Sequence, residues 1–494
     1  MTLTAPTAET QPAGGDRRGP MRPDRLVSTR ERIDGADLAR VFRVGDTAVG
    51  LGLAWAAARV VGPSGGLIAA LAASVPFLAL TTLFVFGLNA AGAYALGGRE
   101  TLVRHQARVA LAFVAPALAV AALLMVGGAA AGAGGRMAAF GMVAAGLYML
   151  LHAGWWIAVR GLRATGRLTP NVVIVGATET AAQVIARAIN AGDLAVLGIF
   201  DDRHERAPAA ILGVPILGGA QAMVGHRIMP FVDRVVITIA PTAQARVNAL
   251  VSQLRALPNP VTLLLDGDAG QDGAALERLA DLPLARLSGA PPHPGRAVAK
   301  RLQDVVLGAL ALLVAAPVMA AIAIAIRLDS PGPIFFHQRR QGFNNEAIVV
   351  WKFRSMRPDM PDSGERQVCR DDPRVTRIGC FIRRTSLDEL PQLFNVLSGE
   401  MSLVGPRPHA IGMKTGDVPS ASLVAEYAHR HRLKPGITGW AAIQGSRGPV
   451  DTPEAVRRRV ALDVDYVDRQ GFWLDLYILV MTLPCLLGDK LATR

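Results

Sequence analysis

The chain has 494 residues, 51% of them apolar and 18% charged, with a net charge of +13. Soluble domains carry about a quarter charged residues, so this composition excludes both a disordered chain and an ordinary cytosolic enzyme. The positive excess suits nucleic acid or an anionic membrane, and its distribution decides between them.

Residues 1–40 are rich in Thr, Pro, Gly and Arg and lack the apolar run of a signal peptide, which reads as a disordered cytoplasmic tail. Apolar stretches follow at 41–61, 67–88, 109–131 and 137–159. Each holds about 20 residues or more, enough to cross a bilayer as a helix, so residues 41–160 are expected to form a four-helix transmembrane bundle. Arg43 and Asp46 lie near the start of the first stretch, where long side chains snorkel. Nothing polar is expected mid-span, so the bundle reads as an anchor. Arginines precede the first stretch, separate the second from the third (Arg99, Arg104, Arg108) and follow the fourth (Arg160, Arg163, Arg167). The positive-inside rule then puts both ends of the bundle in the cytoplasm.

Residues 168–286 alternate strand-like and helix-like runs: Val172–Gly176, a helix over Thr180–Asn190, then Leu197–Asp202, Val235–Ile239 and Val261–Asp266. This order predicts a Rossmann-like parallel α/β sheet. Its first turn, Gly176-Ala177-Thr178-Glu179, has Thr178 where a dinucleotide site needs glycine, and Glu179 where phosphate would lie. Asp201 stands at a tolerable ribose-binding distance, but the failed glycine favours a Rossmann-like fold without a working cofactor site.

A Pro- and Gly-rich linker, 287–296, leads to a last domain, 297–494. Residues 305–326 are apolar and long enough to span, yet Pro317 sits near their middle and basic residues flank both ends. A helix–break–helix hairpin that re-enters one leaflet is expected, with Pro317 as the break. The stretch 472–487 carries Asp475 and Pro484 and suits an interfacial helix. Cys369, Cys380 and Cys485 form no CxxC pair, which argues against a thiolate zinc site. His429 and His431 stand two residues apart in a basic run, which reads as a solvated face rather than a metal site.

Arginine is dense from Arg327 to Arg384, including Arg339, Arg340, Arg354, Arg357, Arg366, Arg370, Arg374, Arg377 and Arg383. Guanidinium forks match phosphate oxygens, although a basic face on an anionic leaflet would account for many of them. Behind the pair Arg383-Arg384 comes Asp388-Glu389. Adjacent carboxylates can hold Mg²⁺ together with substrate phosphates, and a carboxylate can attack a phosphoryl group. Alone, such a pair is also a common helix-start or surface arrangement.

The ordered runs Gly332-Pro333-Ile334-Phe335-Phe336, Lys352-Phe353-Arg354-Ser355-Met356, Asp372-Pro373-Arg374, Ser386-Leu387-Asp388-Glu389-Leu390-Pro391-Gln392-Leu393, Gly405-Pro406-Arg407-Pro408 and Lys434-Pro435-Gly436-Ile437-Thr438-Gly439-Trp440 go further. Through them residues 300–483 resemble the bacterial polyprenyl-phosphate hexose-1-phosphate transferases, which begin exopolysaccharide and O-antigen assembly. The helices and the Rossmann-like domain before them resemble the long members of that family. The resemblance implies a membrane α plus α/β architecture with a monotopic, α-rich catalytic domain on the cytoplasmic face of the bacterial inner membrane. It implies transfer of a hexose 1-phosphate from a UDP-hexose, glucose favoured over galactose, to undecaprenyl phosphate, with UMP released. Carried over by position, Asp388 is the nucleophile, Glu389 (with Asp388) holds Mg²⁺, Arg383 and Arg407 contact phosphate, and Lys352 and Arg354 line the site. The hexose and the oligomeric state, monomer or homodimer, stay open, as does direct transfer without an enzyme intermediate.

A membrane-anchored nucleotide-sugar dehydratase would need the intact glycine loop and a Tyr with Lys four residues on, and no tyrosine here has one. A non-catalytic scaffold of polysaccharide assembly would not need the dyad and its basic motifs. Nucleic acid is excluded by distribution, since the basic residues adjoin apolar segments rather than aromatic stacking positions.

Overall fold

The computed structural model describes residues 26–488 except 62–66, 96, 98–99, 128–130, 207, 240–242, 265–276, 280–281, 289–295, 358–373 and 449. Cys369, Arg366, Arg370 and the Asp372-Pro373 pair therefore lie outside the described residues, as do residues 1–25 of the tail and most of the linker.

The N-terminal region holds α1 (Gly35–Val61), α2 (Leu67–Ala90), α3 (Leu102–Ala112), α4 (Val114–Gly127) and α5 (Ala131–Ala164). The third expected span is interrupted at Phe113, whose N–H turns back to the Ala110 and Leu111 carbonyls. Among the described residues, the runs Leu102–Ala122, Ala139–Ala164 and Arg296–Asp329 are long and apolar enough to cross a membrane. The helix α1 carries Arg40, Arg43, Asp46 and Arg59, and the described apolar part of α2, Ser74–Ala90, is shorter. Among the described residues, length and hydropathy thus mark two of the four expected spans, within α3–α4 and α5.

The expectation of an apolar mid-span also fails. Asp46 does not snorkel; it is fully buried and accepts hydrogen bonds from the Tyr94 hydroxyl (2.6 Å) and Trp155 Nε1 (3.3 Å). His105 and His152, both buried, share a hydrogen bond of 3.1 Å. Donors supplied by neighbouring helices are what make such burial tolerable, and no single stretch of sequence displays them.

The described part of the tail is not free either. Residues 26–34 lie between the two domains that follow: Arg32 donates to the Thr169 carbonyl and to Asp233, both at 2.6 Å. Ser28 Oγ donates to Glu346, and Arg30 reaches Glu400 at 3.3 Å.

The middle domain comprises β1 (Asn171–Val175), α6 (Glu179–Ala191), β2 (Ala195–Phe200), β3 (Ala210–Ile211), β4 (Val214–Gly218), β5 (Arg234–Ile237), α7 (Gln244–Leu254), β6 (Val261–Leu264), β7 (Glu277–Leu279) and β8 (Leu282–Ser288). The sheet order is β3-β4-β2-β1-β5-β6-β8-β7, with β4, β2, β1, β5 and β6 parallel. Every residue of β1 is buried; Val172 and Ile174 face α6, while Val173 and Val175 face the layer containing α7. This two-residue alternation with both faces covered is why the strand reads as an unbroken apolar run. The last strand includes Leu287 and Ser288, which the sequence reading had given to the linker. At the first turn, Asp201 Oδ2 accepts the Ala177 N–H at 2.6 Å, and Thr178 caps α6 through the Ala181 N–H. The amide that would greet a pyrophosphate is thus held by the chain's own carboxylate.

The last domain begins with α8 (Arg296–Asp329), then β9 (Phe335–Gln341), β10 (Ala347–Phe353), α9 (Arg377–Arg384), α10 (Gln392–Ser398), β11 (Ser402–Val404), β12 (Lys414–Thr415), β13 (Val418–Pro419), β14 (Gly436–Thr438), α11 (Trp440–Ile443), α12 (Pro453–Arg469) and α13 (Phe472–Gly488). The helix α8 runs through Pro317 without interruption, so the expected helix–break–helix is absent. Residues on both sides of the proline pack on the same domain. Leu307, Leu312 and Ala315 join the core of α10 and β11, and Met319, Ile322 and Ile326 join Phe353 and Ile382. Both halves therefore rest on one domain, while Leu302, Leu313, Val314, Ile324 and Leu328 point outward and exposed. A contiguous apolar face of this size calls for a membrane or a partner.

Asp475 of α13 does not interrupt an interfacial helix but ties it down. Fully buried, it accepts from Arg296 of α8 at 2.8 Å and from the Tyr466 hydroxyl at 2.7 Å, and it forms an ion pair with Lys300 of α8 at 2.8 Å. Removing one partner of a buried ionic cluster costs about 3–5 kcal/mol. Asp475→Ala is therefore expected to lower the Tm of the full chain in detergent markedly. Asp465→Ala, which breaks only the exposed pair with Arg469, should cost under about 1 kcal/mol.

Candidate active site

The site is assembled by four segments. The hairpin β9–β10 sets Lys352 opposite Phe336. The helix α9, capped by Thr376 on the Gly379 N–H, ends with Arg383 and Arg384 in its last turn. Ser386 then takes a left-handed conformation, φ +55°, uncommon for a residue with a Cβ. That reversal starts the short 3₁₀ turn Leu387–Glu389, whose Leu387, with the following Leu390, packs into the core. Arg407 comes from the loop after β11. Gly405 is needed there because an added Cβ would strike the Lys434 carbonyl where β11 meets β14.

Glu389 is the centre of the arrangement. Its carboxylate takes a two-pronged ion pair from Arg407, with Nη1 to Oε2 at 3.0 Å and Nη2 to Oε1, while Lys352 Nζ donates to Oε1 at 2.9 Å. Burial alone would raise the Glu389 carboxyl, but the Arg407 and Lys352 cations override it and hold the group well below the ordinary carboxylate range. Arg407 is pushed up by Glu389, whereas burial pulls Lys352 down against the attraction of both carboxylates.

Asp388 is placed differently. Among the described residues its half-buried carboxylate makes no hydrogen bond and no ion pair. Burial, and then the charge of Glu389, push its pKa up, with Lys352, Arg383 and Arg407 opposing. Two adjacent carboxylates thus have opposite characters, one saturated with cations and one left free. This division fits Mg²⁺ shared with a phosphate ligand. Asp388 offers oxygens directly, and Glu389 could release one because Lys352 is a point charge on a flexible stem.

Of the residues singled out from sequence, the structure brings together Asp388, Glu389, Lys352, Arg383 and Arg407. Arg354 is turned elsewhere: buried, it donates to the Pro331 carbonyl (2.7 Å) and to the Ser330 carbonyl (2.6 Å) at the end of α8. Pro317 lies on α8, away from the dyad in sequence and embedded in its own helix.

Comparison with known proteins bears on what this site serves. A family model described as bacterial sugar transferase matches residues 295–489. An undecaprenyl-phosphate glucose phosphotransferase of Komagataeibacter xylinus is 41% identical over 65% of this chain and 59% of its own length. A UDP-glucose:undecaprenyl-phosphate glucose-1-phosphate transferase of Xanthomonas campestris pv. campestris is 37% identical over 67% of this chain and 69% of its own. The chain belongs to the bacterial sugar transferase family. The like-named transferase of Escherichia coli (strain K12) is 39% identical over 58% of this chain. The chain spans about three fifths of the K. xylinus and E. coli relatives, 59% and 61% of their lengths. A second family model, described as a CoA-binding domain, matches residues 89–264, from the end of α2 to β6.

Sequence reasoning missed the supports of this site. Arg430, 1% exposed, donates to the Arg407 carbonyl at 2.6 Å and pairs with Asp463 of α12 at 2.7 Å. His409 is buried against Arg430 and the Tyr427 hydroxyl and is held well below the ordinary imidazole value, chiefly by burial and then by Arg430. The run around His429 and His431 is therefore no solvated face: burial depresses both imidazoles, to about 4 and about 3. Asn395 of α10 accepts the Trp351 N–H (3.0 Å) and donates to the Val349 carbonyl (2.7 Å), fixing the strand beside Lys352. These partners lie tens of residues apart, and no local pattern links them.

The titrations set a pair of expectations. Asp388, raised when folded, withholds stability once pH exceeds its folded pKa, so Asp388→Asn should raise the Tm at pH 7–8. That advantage should vanish as pH falls below the unfolded value of 3.8. Glu389 contributes stability above its unfolded value of 4.5 and loses it as pH falls through its depressed folded pKa. Glu389→Gln should therefore cost about 3–5 kcal/mol at neutral pH. Thermal unfolding of both variants across pH checks the two signs.

Proposed function

We propose that this chain transfers glucose 1-phosphate from UDP-glucose to undecaprenyl phosphate, releasing UMP, as the first membrane step of an exopolysaccharide or O-antigen. The observation that carries the reading is the divided dyad, a free Asp388 beside a Glu389 clamped by Arg407 and Lys352. The names of the three relatives described above, each a glucose transferase acting with undecaprenyl phosphate, favour glucose over galactose.

In this reading an Asp388 oxygen attacks the sugar-linked phosphorus, the bond to the UMP oxygen breaks, and a glucosyl acyl phosphate forms on Asp388. A phosphate oxygen of the lipid then attacks the same phosphorus. Asp388 leaves as carboxylate, and undecaprenyl-diphosphate-glucose is the product. Arg383 and Arg407 neutralise the phosphate oxygens, and positioning with charge neutralisation supplies most of the catalysis. Mg²⁺ held by Asp388 and Glu389 would add further neutralisation of phosphate charge. Because both halves of α8 rest on one domain, its exposed apolar side would bring that domain against the membrane, which suits a catalytic domain at the cytoplasmic face of the inner membrane.

The test uses the full chain in nanodiscs with Mg²⁺, undecaprenyl phosphate and a panel of UDP-sugars. UMP release should be strong with UDP-glucose and fall at least about a thousandfold in Asp388→Asn. With donor labelled at the sugar-linked phosphorus and no acceptor, acid quenching should leave label on the Asp388 peptide. Turnover without that adduct would favour direct transfer. No UMP from folded, lipid-supplied protein would overturn the reading.

A further inference from the structure

The N-terminal helices contain a cavity of about 540 Å³ that the transfer reaction does not use. This volume falls within the range of about 300–1,000 Å³ typical of small-molecule sites. It is lined by residues at the start of α3 and in the C-terminal part of α5, including Arg160 and Arg163.

Its chemistry is graded. His105 and His152 line the inner wall, 3% and 1% exposed, and share a hydrogen bond of 3.1 Å. His105 Nδ1 and His152 Nε2 are buried without a hydrogen-bond partner, in loose contact with Glu100 (3.4 Å) and Asp46 (3.3 Å). The two carboxylates have better partners: Glu100 pairs with Arg108 at 2.9 Å, and Asp46 accepts from Tyr94 and Trp155. At the mouth, Arg160 lies 5.2 Å over the Trp156 ring and has no carboxylate partner among the described residues. Arg163 lines the same mouth. Arg163 donates to the Gly192 carbonyl at 3.4 Å with Asp193 beside it, so with both carboxylates otherwise engaged the positive charge left facing the cavity is that of Arg160.

The surroundings continue into apolar surface. Val103, Leu150 and Ile157, on the helices flanking the cavity, are 80%, 74% and 64% exposed. A ligand with an anionic, oxygen-rich head and a hydrocarbon tail satisfies both regions. The head takes the Arg160 guanidinium and the one outward N–H that the hydrogen-bonded imidazole pair leaves, with Arg163 at the rim, and the tail leaves along the exposed helix faces. Ionisable groups at membrane depth facing a cavity are, in general, marks of a functional site.

We propose that this cavity binds the phosphate head of an anionic lipid, a phosphate monoester carried on an isoprenoid or a diacylglycerol chain. The inference needs the membrane setting of the helices and not the transfer reaction, so each can fail without the other.

The full chain in phosphatidylcholine nanodiscs is irradiated with diazirine-bearing farnesyl monophosphate, phosphatidic acid or neutral farnesol, and adducts are mapped by peptide mass spectrometry. At least one phosphate probe should mark the peptides of α3 and the end of α5, and farnesol should not. Marking there should drop at least about tenfold in the Arg160→Gln, Arg163→Gln double variant, with any catalytic-domain adduct unchanged. The Arg160→Lys, Arg163→Lys variant, which keeps the charge, should retain it. Marking by the isoprenoid alone identifies a polyprenyl phosphate as ligand, and marking by both identifies anionic lipid generally. No marking of these helices, equal marking by farnesol, or undiminished marking of the glutamine variant would overturn the proposal.

Discussion

The clamp of Arg407 and Lys352 on Glu389 is the interaction on which the active site depends. Two carboxylates adjacent in sequence cannot both stay ionised at moderate cost unless one is heavily compensated. By absorbing both cations, Glu389 becomes the fixed charge of the pair and leaves Asp388 uncommitted. The left-handed Ser386 delivers the pair to this point, and it persists because Leu387 and Leu390 are locked in the core beneath. Much of the remaining domain serves to hold the two cations. Arg430 grips the Arg407 backbone, and Asn395 grips the strand bearing Lys352.

This support reaches beyond the catalytic domain. Glu400 accepts from Asn395 at 2.6 Å and from Arg30 of the N-terminal segment at 3.3 Å. The neighbouring residue Arg32 binds Asp233 of the α/β domain. The tip of the β9–β10 hairpin inserts Asn344 into that same domain, where it reaches the Pro230 carbonyl and Asn259, both at 2.9 Å. The hairpin that carries Lys352 is thus fastened at its far end to the Rossmann-like sheet. Polar contacts with good geometry give such an interface specificity more than adhesion.

The apolar helices divide between two roles. Both halves of α8, and α13 through Asp475, are fastened to the core that carries the dyad, so their exposed apolar faces are fixed relative to it. The N-terminal helices enclose a polar interior with a basic mouth, more than an anchor requires.

What the sequence determined by itself was whatever local pattern encodes. The unbroken apolar runs of β1 and β5 announced a doubly covered parallel sheet, because burial on both faces leaves its mark residue by residue. The turn at Thr178 announced a loop poor for phosphate, and the ordered runs around Asp388 announced the transferase family. Tertiary structure decided everything that depends on partners distant in the chain. Asp46, Asp475 and Arg430 look in sequence like groups that belong in water, and each is buried because donors or carboxylates from other elements meet it. Pro317 looks like a break, yet its helix is whole and packs on the same domain on both sides of it. Arg354 stands two residues from Lys352, a spacing that would share one face in a continuing strand, but β10 ends at Phe353 and Arg354 turns to the end of α8 while Lys352 reaches the dyad. The cost of burying a charge is set by what surrounds it in space, and spacing along the chain does not record that.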